Sequence, residues 1–473
     1  MSREASLQLS FADVEFQQQE VFLDPTLQAI SRFLDEQQEM IEQVRADLQR
    51  GLKNPYTGRD GLTPAQVLRS LILMRVKNWD YRELRERIAD GYTLRLFTGF
   101  LSQPVPQHHA FNRAFNRLTP ETMKAVNERV IRSAVDLGLE DGKKLRVDCT
   151  VVETDIHHPT DNTLLWDTVR VVTRLVGRLE KTIGRKLKGF PRRTRAARRR
   201  MQEIQRLTPK QRQEKQTKKY QQLIRITEQV VTRARHRLKK TEKTHGQNLQ
   251  DDLVIAELRR EIEHYCQLGE RVLDQTRRRV LHGEQVPAGE KIYSIFEPHT
   301  DLIKRGKIEK PIEFGHKVFL AESAQGLITQ YEVLEGNPPE EQQVPSSLEN
   351  HRKTFGHAPD VYGTDRGFYS EDNLKACKKD GVKVASMPQR GGQKTSRRKA
   401  HEKSAIFKMG QRFRAGIEGR ISVLFRGRGM KRCLAKGRER FQLLVGAAVL
   451  ANNLLRIGAL LIESSTSKQQ SAA

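Results

Sequence analysis

The segment KKLRVDCTVVETD, residues 143–155, decides the fold of the chain. Apolar and polar side chains alternate along it from Leu145 to Val151, and this period of two is typical of a β-strand. Asp148 falls on the polar face of that strand. Helical spacing precedes the segment, and the strand pattern does not return until about residue 290. We therefore expect a first core strand that a long insertion separates from the rest of its sheet.

Strand patterns return in three segments and then alternate with helices. The three segments are KIYSIFEPH (291–299), EFGHKVFLAES (313–323) and GLITQYEVLEG (326–336). The later predictions are, in chain order, a helix at 340–355, a strand at 359–364, a helix at 370–381, a strand at 382–388 and a last pair of helices. This order predicts an α/β fold with one mixed sheet.

The first 140 residues show helical patterns only. Thr63 is placed to cap a helix that has Pro64 at its first position, and Thr119 and Pro120 repeat the signal for a helix that Gly138 ends. We predict a small helical domain over residues 1–140. Its role is either packing and dimerisation or contact with DNA.

The charge of the chain is strongly positive and unevenly distributed. Its 473 residues carry a formal net charge of +27, and the pI is about 10.1. Residues 1–50 are acidic, whereas residues 170–285 and 389–440 hold roughly 19 and roughly 14 more basic than acidic residues. This surplus exceeds what solubility requires and predicts a polyanionic partner, most commonly nucleic acid. Ribosome-associated and membrane-surface proteins share the property, so charge alone leaves the partner open.

The composition also bears on location. The start of the chain lacks the pattern of a signal peptide, and no run of about 18 apolar residues predicts a membrane span. The four cysteines, Cys149, Cys266, Cys377 and Cys433, have no C-x-x-C spacing. We therefore expect a cytoplasmic protein without a disulfide framework or a zinc site.

Three acidic residues are the candidates for chemistry. Asp148 lies in the first core strand, Asp365 ends the strand at 359–364, and Glu418 lies on a late helix. Glu418 stands at the margin of the stripe predicted to be buried on that helix, which comprises Ile406, Met409, Phe413, Ile417 and Leu424.

Each acid also has an ordinary structural explanation. Asp148 could pair with Arg146 or Lys143. Asp365 could cap the turn that follows it. Glu418 could bond Arg414, one helical turn earlier on the same face.

Three segments carry a resemblance to a known family. VDCTVVETDIHHPTD (147–161), GTDRGFYS (363–370) and FRAGIEGRISVLFRGRG (413–429) resemble the three acidic motifs of the DDE transposases of bacterial insertion sequences. The chain looks most like the ISNCY-like group with an InsH-like helical N-terminal domain, and the likeness covers roughly residues 30–455.

The resemblance implies a division of the chain. The helical domain at 1–140 would precede an RNase H-like catalytic core formed by residues 141–163 and 288–456. A basic helical insertion at 164–287 would separate the first and second core strands. Residues 457–473 would end the last helix and, from their composition, form a disordered tail.

The resemblance also implies a catalytic role for the three acids. Asp148, Asp365 and Glu418 would be the catalytic residues and would bind Mg²⁺ or Mn²⁺, as two ions. Converging carboxylates repel one another unless a cation lies among them, and oxygen-only ligands favour these metals over zinc. Two such ions can activate a water or a 3′-hydroxyl and stabilise the leaving oxygen.

The implied activity is cleavage of DNA at the ends of an insertion sequence and strand transfer into target DNA. The implied partners are the terminal inverted repeats and the target DNA, without a membrane, and a dimer or higher oligomer in the synaptic complex. The implied location is the bacterial cytoplasm, at the nucleoid.

The last motif departs from the usual pattern of the wider superfamily. The family's Tyr corresponds to Gln411, its Lys corresponds to Phe425, and Arg426 comes one position late. The predicted DNA contacts are basic residues near the motifs and in the insertion, namely Lys317, Arg414, Arg426, Arg428, Lys431, Arg432, Arg198, Arg199 and Arg200.

Two alternatives stay open at this point. A nuclease with the same core would hydrolyse DNA without joining it. A catalytically decayed transposase would bind DNA without cutting it.

Overall fold

A computed structural model describes residues 2–3, 10–18, 23–54, 57, 59–187, 189–242, 244–304 and 311–472. The chain divides into two compact units. Unit 1 comprises Met1–Glu153 and His316–Ala473, and unit 2 comprises Thr154–Gly315. The strand Ile312–Ser323 contains residues of both units.

The N-terminal part of unit 1 is helical. Its elements are β1 (Ser2–Arg3), α1 (Phe11–Gln18), α2 (Pro25–Asp35), α3 (Gln38–Gln49), β2 (Arg59–Asp60), α4 (Pro64–Lys77), α5 (Tyr81–Asp90), α6 (Tyr92–Thr98), α7 (His108–Phe115), α8 (Pro120–Asp136) and the long strand β3 (Lys144–Thr154). The predicted cap of α4 is confirmed, because the Thr63 side chain accepts from the backbone N–H of Gln66 and Gln66 bonds back to Thr63.

Four long helices and one strand follow in unit 2. They are α9 (Asp161–Ile183), α10 (Thr194–Gln205), α11 (Pro209–Lys240), α12 (Leu249–Thr276) and β4 (Asp301–Lys304). A π-helical turn, Arg277–Leu281, continues α12.

The chain then completes the sheet and its flanking helices. The elements are β5 (Ile312–Ser323), β6 (Ile328–Val333), α13 (Gln343–Phe355), β7 (Val361–Gly363), α14 (Glu371–Asp380), β8 (Val384–Ser386), α15 (Ser396–Lys403), α16 (Ala405–Gly427), β9 (Arg432–Cys433) and α17 (Arg438–Ala472). Helix α17 extends through residues 457–472, a range that includes the tail predicted from its composition to be disordered.

The sheet is mixed, as predicted. Its order is β4-β5-β3-β7-β8, with β6 also paired to β5 and β9 to β3, so it has seven strands among the described residues. β3, β7 and β8 run parallel, with Lys144 opposite Val361 and Val361 opposite Val384. β5 and β6 run antiparallel. The α/β class with a mixed sheet is therefore confirmed.

The N-terminal helices share one hydrophobic core with α17. Phe97, Phe111 and Phe115 are buried in the same cluster as Leu450 and Leu454 of α17. By length and composition, Arg438–Thr466 of α17 could cross a membrane, but 72% of its apolar window is buried within the protein. Its apolar surface is therefore explained by packing, as in the core helix of a globular unit.

One prediction about a strand was wrong. Residues 291–299 form bends and turns rather than a strand, although Ile292 and Ile295 are buried. The Ser294 hydroxyl accepts from the backbone N–H groups of Phe296 and Glu297. These bonds stabilise a turn and replace the backbone hydrogen bonds that a strand would form with a neighbouring strand. β3 is buried from Leu145 onward apart from Arg146, so its polar face is not exposed to solvent; the strand lies inside the sheet.

The buried stripe of α16 also differs from the prediction. Ile406 and Met409 are exposed, whereas Phe407, Gly410, Ile417 and Leu424 are buried. Gly410 explains the shift, because a Cβ placed there would lie 2.4 Å from Cβ of Ser386. The helix therefore turns its glycine, rather than its larger apolar neighbours, toward the sheet.

Unit 2 has an apolar core inside its basic surface. The residues of α9 predicted to have heptad-like spacing, Val169, Val172, Leu175, Val176 and Leu179, are all buried. They pack with apolar residues of α10, α11 and α12. The basic side chains of the insertion therefore belong to a packed helical unit.

Candidate active site

Asp148 is held in the middle of β3. Its side chain lies within unit 1 and Asp148 is only 9% exposed. Oδ1 accepts a 2.8 Å hydrogen bond from the backbone N–H of Cys149, and Oδ2 accepts a 2.8 Å hydrogen bond from Nη2 of Arg414. Arg146 and Lys143, the two basic residues that could have paired with Asp148, form other ion pairs. Arg146 pairs with Glu322 and Lys143 with Asp141.

Asp365 follows β7 and has two functions in the structure. Its Oδ1 accepts a 2.8 Å hydrogen bond from the backbone N–H of Gly367 and so caps a short 3₁₀ turn, Arg366–Phe368. Its Oδ2 lies 4.0 Å from Nη2 of Arg414. The capping explanation is therefore correct, but it occupies only one of the two carboxylate oxygens.

Glu418 lies on α16, and its side chain is 67% exposed. Its Oε1 accepts a 3.0 Å hydrogen bond from Nη1 of Arg414, which lies one turn earlier on the helix. This is the intrahelical pair considered from the sequence. The same guanidinium contacts the other two acids.

The three predicted acids therefore meet at one guanidinium. Oxygens of Asp148 and Asp365 lie on the same nitrogen of Arg414, at 2.8 and 4.0 Å, and thus cannot be farther apart than those two distances added together. Glu418 lies on the neighbouring nitrogen at 3.0 Å. The structure brings together side chains from a central strand, a strand end and a helix.

A fourth carboxylate, Glu340, adds negative charge to this cluster. Burial raises the pKa of Asp148 to about 6, Arg414 opposes the rise, and Asp365 and Glu340 add to it. Lys317 lies 3.4 Å from Glu340 Oε1 and donates to the backbone carbonyl of Pro338. Sequence patterns did not identify Glu340, because it lies in a short 3₁₀ turn without strand or helix periodicity.

Helix α16 is fixed against the strand ends by Gln411. Its Nε2 donates to the backbone carbonyl of Thr364 at 3.1 Å, and to the carbonyl and hydroxyl of Ser386 at 2.7 and 3.0 Å. Because Thr364 precedes Asp365, this contact links the helix that carries Glu418 to the strand end that carries Asp365.

A buried ion-pair network supports the same helix from β3 and β5. Glu322 is fully buried and accepts from Arg146 at 2.7 Å and from Arg420 at 2.8 Å. Arg146 also donates to the backbone carbonyl of Phe413 and lies over its ring. Replacing either arginine would leave a buried carboxylate without one of its two cations.

The chemistry of the acids suits a hard divalent cation. Asp148, Asp365, Glu418 and Glu340 supply oxygen donors only, which Mg²⁺ and Mn²⁺ prefer. In the arrangement with Arg414 among them, no group of three or more His, Cys, Asp or Glu in the described part of the chain is spaced to hold a metal ion. The donor set suits such a cation, and the guanidinium of Arg414 lies among its oxygens in this structure.

The basic residues predicted near the site have different surroundings. Lys317 is within the cluster, and Arg414 is at its centre. Arg428 donates to the backbone carbonyls of Val76 and Gly427. Arg428 is half-buried, and burial lowers its pKa.

Three of the remaining predicted contacts lie on the surface of unit 1. Arg432 pairs with Glu153 at 2.9 Å. Arg426 and Lys431 are exposed. In unit 2, Arg199 and Arg200 pair with Glu203 at 3.6 and 2.6 Å, whereas Arg198 is exposed on the same helix, α10.

Comparison with known proteins gives one match. Residues 15–117 match a family described as Transposase domain (DUF772). No match is found among curated proteins or among solved structures. The matched segment runs from α1 to the residues after α7 and ends before Asp148, so the three acids lie outside it. The N-terminal helices are therefore similar to that transposase domain, and this match supports a transposase family for the chain.

Proposed function

We propose that this protein is a DNA transposase whose sheet is an RNase H-like catalytic core. In this proposal Asp148, Asp365 and Glu418 are the catalytic acids. The observation that supports it most directly is their convergence on the guanidinium of Arg414. The sheet also supports it, because β3 lies between the antiparallel pair β5–β6 and the parallel strands β7 and β8.

The three carboxylates, with Glu340 beside them, would hold two divalent cations, Mg²⁺ or Mn²⁺. Those ions supply Lewis-acid activation of a water or 3′-hydroxyl and charge stabilisation at the leaving oxygen. The protein's own contribution is placement. The Cys149 N–H orients Asp148, the Gly367 N–H orients Asp365, and Gln411 holds the helix of Glu418 at the strand ends.

Arg414 has a distinct role in this proposal. A guanidinium is planar and always charged, and it matches the geometry of carboxylate and phosphate equally well. Without DNA it offsets the repulsion among the acids. If divalent cations occupied the acids, Arg414 would be free to bind the phosphate of a DNA strand and would offset its negative charge there.

The partners in this proposal are the terminal inverted repeats of the element and a target DNA. Two ends must be held together for transfer, so the active form is a dimer or a higher oligomer. In this proposal Lys317, Arg426, Lys431 and Arg432 provide phosphate contacts. The protein acts in the bacterial cytoplasm at the nucleoid.

A strand-transfer assay tests the proposal. The purified chain is incubated with Mg²⁺ or Mn²⁺ and a plasmid that carries the coding sequence with its flanking DNA, and breaks and joints are mapped by sequencing. We expect breaks at the two flanks, and joining of a pre-cleaved flank end to a second plasmid. Breaks without joined product would instead identify a nuclease.

The decayed-transposase alternative has its own outcome in the same assay. DNA binding without breaks by the unmodified chain, in both metals, would contradict catalysis. Asp148→Asn provides the matched control, because it keeps the size of the side chain and removes its charge. We expect it to bind DNA as the unmodified chain does and to cleave none.

A further inference from the structure

Unit 2 contains a cavity that the acid cluster does not explain. Its volume is about 980 Å³, and the start of α9, the first turns of α11, the π-helical turn and β4 all contribute to its wall. Pockets of about 300–1,000 Å³ accommodate ligands the size of one or two nucleotides. The cross-section of a DNA duplex is too large to enter such a space.

The wall of this cavity is basic. Arg212, Arg279, Lys291 and Lys304 line it. Among the residues that the structure describes, Arg212, Lys291 and Lys304 form no ion pair, and burial together with Arg279 lowers the pKa of Lys291. Cations gathered without counter-charges repel one another, and an anionic ligand relieves that repulsion.

The two acids at the wall are already neutralised. Asp161 accepts from Arg279 at 2.7 Å and from Gln275 at 3.2 Å. Glu284 accepts from Arg278, which also bonds Glu290. Arg279 and Arg278 therefore take the hydrogen bonds of these two carboxylates, although the charge of Asp161 still opposes the fall in the pKa of Lys291. The N-terminus of α9 at the same wall adds a partial positive charge.

Two nearly buried tyrosines and an unusual backbone form part of the cavity wall. Tyr220 and Tyr293 line it, and burial raises the pKa of each phenol to about 12, so both stay neutral. The π-helical turn Arg277–Leu281 places Arg279 and Val280 at the wall. Single π-helical turns within α-helices occur frequently at functional sites.

From the unpaired cations, the aromatic wall and the size of the cavity, we propose that it binds one strand of DNA, at a segment of one or two nucleotides, with the phosphates on Arg212, Lys291 and Lys304. This rests on the proposed function, since it makes the cavity the insertion's point of contact with the DNA being processed. In this proposal the principal DNA contact of the insertion is the cavity and not Arg198–Arg200.

Lysine footprinting on the full chain tests the site without mutation. The protein is acylated briefly with and without a 20-nucleotide single strand, and modification is read by mass spectrometry. We expect the single strand to slow labelling of Lys291 and Lys304 at least about fivefold and to leave Lys240, at the far end of α11, unchanged. Equal labelling of Lys291 with and without the strand would overturn the proposal. Protection by ATP or pyrophosphate but not by the strand would also overturn it.

A salt titration of DNA binding provides the second test. The variant Arg212→Gln/Lys291→Gln/Lys304→Gln is compared with Arg195→Gln/Arg225→Gln/Arg233→Gln, which removes the same charge outside the cavity. Each lost phosphate contact on a single strand lowers the log–log slope by about 0.7. We expect the cavity variant to lose about two units of slope and about tenfold or more in affinity at 0.1 M salt, and the control variant to lose less than about threefold. Equal losses in the two variants would overturn the site.

Circular dichroism shows whether each variant is folded. If a variant is not folded, the lysine footprint of the unmodified chain still tests the proposal. The outcome is separable from the proposed catalysis. Loss of cleavage in Asp148→Asn does not bear on protection of Lys291, and an unprotected Lys291 does not bear on cleavage.

Discussion

Arg414 donates a 2.8 Å hydrogen bond to Asp148, although the two residues are 266 positions apart in the chain. The same side chain reaches Glu418 and Asp365. One cation therefore ties together the three acids that the sequence singled out. If they are metal ligands, Arg414 and the metal compete for the same oxygens.

That competition predicts the behaviour of Arg414→Gln. Without divalent cations the variant loses charged hydrogen bonds to two acids, and we expect it to be less stable by about 1–3 kcal/mol. Added Mg²⁺ should then raise its melting temperature more than it raises that of the unmodified chain. Differential scanning fluorimetry with and without 10 mM Mg²⁺ measures both effects. Arg412→Gln, exposed on the same helix, is the control; an identical response of the two variants to Mg²⁺ contradicts the prediction.

Gln411 makes a second prediction possible. Gln411→Ala removes the donor shared by Thr364 and Ser386, and we expect a loss of about 1–3 kcal/mol in the free energy of unfolding. Cleavage should fall more than binding, because displacement of α16 moves Glu418 relative to Asp365. Chemical denaturation and single-turnover cleavage measure the two quantities. Lys408→Ala on the exposed face of α16 should change neither, and a Gln411→Ala variant as active as Lys408→Ala would exclude a positioning role.

Glu340 is expected to support the acid cluster without being essential. Replacing it with Gln keeps its size and removes one negative charge near Asp148 and Asp365. Residues that support metal ligands typically change affinity or activity by about 10–100-fold. We therefore expect Glu340→Gln to weaken Mn²⁺ binding about tenfold in isothermal titration calorimetry. The adjacent Glu341→Gln should leave that affinity unchanged, and equal affinities in both variants would remove Glu340 from the site.

His351 predicts a dependence of stability on pH. It is fully buried in α13 beside Phe355, and burial, aided by His357, lowers its pKa from 6.5 to about 4. A lowered folded-state pKa means that only the unfolded state takes up this proton between pH 6.5 and about 4. Its contribution to stability is therefore complete above pH 6.5 and is lost progressively as the pH falls to about 4.

The variant His351→Phe isolates this contribution. We expect the free energy of unfolding of the unmodified chain, minus that of the variant, to fall by a few kcal/mol at most between about pH 7 and pH 4. Taking the difference cancels the other titrating groups. Urea denaturation at four or five pH values measures it, and a difference that is flat with pH would show that His351 is not the group responsible.

Much of the architecture followed from local patterns. The caps at Thr63 and Thr119, the helices of the insertion and the parallel strands after residue 359 could be predicted because caps and periodicity are local. The bends at 291–299 could not be predicted, because an irregular segment that buries apolar residues can show the same alternation of apolar and polar residues as a strand. The shifted face of α16 depends on contact between Gly410 and Ser386, which lie on different elements.

The candidate site was predictable in part, through the resemblance of three motifs. That resemblance implied that Asp148 and Asp365 converge, and the structure places them on β3 and just after the adjacent parallel strand β7. Glu340 and the central position of Arg414 depend on tertiary contacts that no local pattern encodes. The cavity in unit 2 likewise draws its cations from separate elements, so composition indicated a basic insertion but not where its unpaired charges meet.

The most direct measurement is cleavage of the flank-containing plasmid by Asp148→Asn, Asp365→Asn and Glu418→Gln. Glu439→Gln, an exposed acid outside the cluster, is the matched control. If the three acids form one site for phosphoryl transfer, each variant loses about 10³-fold or more in cleavage while binding DNA normally, and the losses do not add when the changes are combined. Normal cleavage by Asp148→Asn would contradict the account.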